Sequence, residues 1–125
     1  MNLQEITISI YLLIILGVVV FQFCLLFGAP WGEYTQGGQN IGTLPASGRV
    51  TAALSIPILI FMAASMTTLI GLGPNLQSWT LYVTLCLQGL TAIANWITQS
   101  RKERFLWGPI TTVAFLLVSY VAFTS

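Results

Sequence analysis

Residues 6–28 read ITISIYLLIILGVVVFQFCLLFG, an apolar run broken only by Thr7, Ser9 and Gln22. At 1.5 Å per residue, roughly 23 residues are enough to cross a hydrocarbon core about 30 Å thick. Lipid offers the backbone no hydrogen-bond partner, so a spanning run of this kind must pair its own amides and carbonyls as a helix. A secretory signal would have a basic start and a shorter apolar core. The residues ahead of this run hold Glu5 and no Lys or Arg, so the segment is expected to be retained.

Three further runs follow, at 50–72, 79–98 and 105–124. The expectation is an all-α fold, an integral membrane four-helix bundle forming one domain over 1–125, with short second and third connections. Composition agrees, since 56% of the chain is hydrophobic and 6% charged, against about 25% charged in a soluble domain. A net charge of +1 without a long basic run argues against nucleic acid as a partner. Histidine is absent. With it go the commonest metal ligand and general base, so no metal or cofactor is implied.

The few charges set an expected orientation. Arg49 closes loop one, and Arg101, Lys102 and Arg104 lie in loop three, so all four cations share one face. The positive-inside rule then puts loops one and three in the cytoplasm and both termini outside. Trp31, Tyr34, Trp96 and Trp107 fall at the inner ends of the spans, and Tyr11, Trp79, Tyr82 and Tyr120 near the outer ends, as interfacial aromatics would. Cys24 and Cys86 differ in expected depth by roughly 13 Å. That is too far for a disulfide, so both read as reduced packing residues.

Loop one, residues 29–48, is long and glycine-rich. Trp31, Tyr34, Ile41 and Leu44 favour an ordered cover held against the membrane face, with Glu33 paired to Arg49 or Arg104. Its glycines match no phosphate-binding pattern.

Helix three carries Thr84, Gln88, Thr91, Asn95 and Thr98 at alternating spacings of four and three, a single polar stripe expected to face the other helices. Pro57 should free the carbonyl of Ala53 and kink helix two. By depth, Gln22, Ala53 and Asn95 each lie roughly 5 to 10 Å from the inner surface and are expected to share a polar pocket. No Asp, Glu, Lys or Arg falls mid-span, which disfavours a channel or proton-coupled pump. Gly108 and Pro109 are expected in the first turn of helix four, where proline is tolerated.

The run GAPWGEYT at 28–35, with Asn95, Ser100, Glu103, Arg104 and Trp107 to Pro109, resembles a group of small bacterial four-helix membrane proteins. The resemblance extends along the whole chain and implies the bacterial inner (cytoplasmic) membrane, with no activity or catalytic residue to carry over. The glutamate that small multidrug exporters hold midway along their first helix has no counterpart here.

Two functional readings follow. One is an accessory or interaction protein whose apolar helices pack on a membrane partner, with Trp31 and Tyr34 on loop one forming a cytoplasmic docking surface. The other is a small-molecule or lipid binding or transport protein, expected as a homo-oligomer, whose cytoplasm-facing pocket uses Gln22, Glu33, Gln88, Thr91, Asn95 and Arg104. Glu33 with Arg49 or Arg104 offers acid/base groups for a lipid headgroup, but no nucleophile and base are suggested by spacing, and no catalytic residue is assigned.

Overall fold

The computed structural model describes residues 1–125 and contains four long helices: α1 (Leu3–Leu26), α2 (Ala46–Thr67), α3 (Trp79–Ile97) and α4 (Arg101–Thr124). All four are long and apolar enough to cross a membrane. Leu13, Leu54, Leu90 and Leu116, one on each helix, are more than half exposed on the outside of the bundle. A large apolar surface of this kind suits lipid and not water.

The helix ends differ from the expected ones for reasons of capping. Asn2 accepts from the amide of Glu5 at 2.8 Å, which starts α1 three residues early. Ser100 accepts from the amide of Glu103 at 3.1 Å, so α4 begins at Arg101 and the basic run RKER forms its first turn, not a loop. Pro109 therefore lies inside α4 and not in its first turn. α1 stops because Gly28 takes a left-handed φ of 103°, with Gly28 N bonded to Leu25 O and Ala29 N to Cys24 O. This is the paired closure of a Schellman motif. Gly71, at φ 77°, ends the short 3-10 extension of α2, Thr68–Ile70, in the same way, through Gly71 N to Thr68 O and Leu72 N to Thr67 O.

Each helix packs on its sequence neighbours, and α4 returns to α1. The α3–α4 pair is close because small residues sit at the contact. A Cβ on Gly89 would lie 3.1 Å from the Phe115 ring, and one on Gly108 3.2 Å from the Trp96 indole. The α2–α3 contact is thinner.

The larger apolar cluster, near the chain termini, joins Ile8, Tyr11, Ile15, Met66, Leu81, Val118 and Val121. Tyr11 is fully buried there and donates to Gln88 Oε1 at 3.0 Å. It is a core residue and not the interfacial anchor its position suggested. Near it, the hydroxyls of Ser65 on α2 and Thr84 on α3 share a 2.6 Å hydrogen bond.

Candidate functional site: a cavity beneath loop one

Loop one is folded against the helix ends. Gly32 donates to Gly42 O at 2.8 Å, and a Cβ at Gly32 would fall 2.3 Å from Asn40 O, so only glycine allows the two halves of the loop to close. Leu44 is buried against Leu25 and Ala52. Trp31 stacks on Phe21 at 5.8 Å between centroids, and Phe21 meets Trp107 edge to face at 4.9 Å. Ile41, expected to be held down, is 83% exposed at the tip.

Two contacts tie this loop to α4. Ser100 Oγ donates to Glu33 O, and Gly37 N donates to Glu103 Oε1 at 3.2 Å. The Glu33 carboxylate pairs with Lys102, not with Arg49 or Arg104 as expected. The pairing follows from the early start of α4, which brings its first turn under the loop. Tyr34 lies 5.7 Å below the Lys102 ammonium. Arg49 donates to Leu44 O at 3.1 Å and Arg104 to Thr98 O at 3.1 Å, so both basic side chains support backbone.

Between the four helices and this loop lies a cavity of about 170 Å³, lined by 16 residues of which nine are hydrophobic. α1 contributes Ile14, Val18, Phe21 and Gln22, α2 Leu59 and Met62, α3 Gln88, Thr91 and Asn95, and α4 Glu103, Trp107 and Thr111; Thr35 enters from the loop. Of the residues expected to form the pocket, Gln22, Gln88, Thr91 and Asn95 line it, and Glu33 and Arg104 do not. Ala53 is not part of the lining, because α2 meets the cavity about two turns further along, at Leu59 and Met62.

The polar stripe of α3 divides in two. Thr84 and Gln88 are buried and bond across to α2 and α1. Thr91 and Asn95 turn to their own helix, Thr91 Oγ1 to Leu87 O and Asn95 Nδ2 to Thr91 O, each at 2.8 Å, and are not interhelical links. Thr91 is exposed while lining the cavity, so the cavity reaches the flank of α3. Asn95 and Glu103 also line a separate surface hollow with Gln36, Gly37, Ala94, Ile97 and Thr98 at the loop-one end of the bundle.

Several wall groups have no partner within the chain: the Gln22 amide, Gln88 Nε2, Asn95 Oδ1 and Glu103 Oε2. Gln88 uses its Oε1, Asn95 its Nδ2, and Glu103 receives both Gly37 and Thr98 on Oε1. Gln22 and Asn95 are half-buried and none of these four atoms is fully enclosed, so they face open cavity space in which something else could accept or donate. The one enclosed side-chain atom without a partner is Arg104 Nε.

Glu103 was not singled out by sequence reading as a site residue. The signal was present in Ser100–Arg–Lys–Glu103, the S-x-x-E spacing of a capping box that begins a helix. Had α4 been started there, Glu103 would have been placed on its first turn beneath the loop. No family model, curated protein or solved structure matches this chain.

Proposed function

We propose that the chain is a multi-pass protein of the bacterial inner membrane that binds a small amphiphilic molecule in the cavity beneath loop one, with loops one and three in the cytoplasm. The observation that carries this reading is the cavity itself, an apolar chamber among spanning-length helices whose unpaired polar groups gather toward the loop-one end. An engineered apolar cavity of about 150 Å³ holds benzene. The cavity here therefore suits one ring or a short chain, with Asn95 and Glu103 on its wall toward the loop-one end to meet a polar head. Binding and transport share this geometry, and the cavity supports binding directly.

Docking of a membrane partner through Trp31 and Tyr34 has less support, because both rings are engaged inside the chain, Trp31 on Phe21 and Tyr34 beneath Lys102. The two readings separate on purification in mild detergent at native abundance, followed by mass spectrometry. The binding reading expects one small molecule or lipid retained in stoichiometric amount and released by Asn95→Leu. Its opposite is a stoichiometric protein partner, lost in Trp31→Ala/Tyr34→Ala, with no retained small molecule.

A further inference from the structure

Glu103 is 7% exposed, sits in the cavity wall and has no cation within salt-bridge distance, since the one salt bridge of the chain is Lys102–Glu33. A carboxylate withdrawn from water and left without a counter-charge is costly to keep. Its Oε1 is occupied by Gly37 N and Thr98 Oγ1, whereas Oε2 has no donor from the chain. No neighbouring cation forms an ion pair with Glu103: Lys102 pairs with Glu33, Arg104 donates to the carbonyl of Thr98 and keeps its buried Nε without a partner, and Arg101 is exposed. The N-terminal dipole of α4 offsets part of the charge, with a partial positive charge of about half an elementary unit. A cation at the free Oε2 would add a charge-assisted hydrogen bond.

The same wall presents two aromatic rings, Phe21 and Trp107, set edge to face. A carboxylate oxygen beside aromatic rings is the combination that recognises an organic ammonium, through one charge-assisted hydrogen bond and the attraction of a cation for a π-face. We infer that the ligand of this cavity is a small lipophilic amine, its ammonium on Glu103 Oε2 and its apolar part directed toward Val18, Leu59 and Met62. The inference rests on the reading of the cavity as a ligand site and adds the sign of the ligand's charge. It also gives Glu103 two tasks, holding loop one through Gly37 and receiving the ligand. Occupancy of the cavity and closure of the loop are therefore joined at one carboxylate.

The test uses the full-length protein in lipid nanodiscs at neutral pH, with protein-free nanodiscs correcting for partition into lipid. Three probes of one shape are compared by equilibrium dialysis: benzylammonium, benzyl alcohol and benzoate. The expected result is benzylammonium bound at least about ten-fold more tightly than benzyl alcohol, as one charge-assisted hydrogen bond provides, with benzoate weakest. Glu103→Gln should remove the preference of the amine over the alcohol. Equal binding of amine and alcohol, or a preference for benzoate, overturns the cationic assignment and leaves the cavity reading standing. Binding of none of the three overturns both. The comparison among probes on the unmodified protein decides the matter even where Glu103→Gln does not fold.

Discussion

Tyr11 and Gln88 meet across the diagonal of the bundle, the phenol of α1 donating to the amide oxygen of α3 at 3.0 Å inside the buried cluster. The bond fixes the rotation of α3, and that rotation places Thr91 and Asn95, one and two turns further along, on the cavity wall.

Removing this bond should cost stability without changing the helix count. Tyr11→Phe is expected to lose about 0.6 to 1.7 kcal/mol, the range found for hydrogen bonds between membrane helices. Reversible unfolding in mixed micelles would measure it. Gln88→Leu alone should cost a similar amount, and the double variant less than the sum of the two. An additive pair of losses would mean the hydroxyl and the amide are not energetically coupled.

Gly32 should be intolerant of a side chain. A Cβ there would meet the backbone oxygens of Asn40 and Gly42 at 2.3 and 2.6 Å, and backbone cannot give way as a flexible side chain does. Gly32→Ala is expected to open loop one, seen as faster amide exchange over residues 32–44. Gly17→Ala, where nothing lies within 4 Å, should leave exchange unchanged.

Ser100 serves the helix and the loop together. Its Oγ accepts from Glu103 N and donates to Glu33 O. Ser100→Ala should cost about 1 kcal/mol from the lost cap, and should also raise exchange at residues 33–38. A loss of stability with the loop still protected would show that the bond to Glu33 contributes little.

The orientation can be read by labelling. In a background lacking Cys24 and Cys86, Ile41→Cys at the exposed loop tip should react with a membrane-impermeant maleimide only after cells are opened. Ser125→Cys at the C-terminal end should react in intact cells. The reverse pattern would overturn the charge-based topology.

Number and type of the elements were legible in the chain because hydropathy and length are properties of single segments, and lipid leaves a spanning segment no alternative to a helix. Membership of the cavity was legible in part. Gln22, Gln88, Thr91 and Asn95 were found by depth and face, which follow from helical periodicity alone. What periodicity cannot carry is the partner of each group. Glu33 reaches Lys102 only because loop one folds over the first turn of α4. Tyr11 is buried only because the bundle closes around its end of α1, so a residue with the sequence position of an interfacial anchor becomes core. Glu103 faces the cavity because a three-residue connection, Thr98 to Ser100, sets the phase of α4 against α3. Hydropathy along one segment records how much of it avoids water. Which side chains meet depends on the relative rotation of separate helices, and that was decided only when all four packed together.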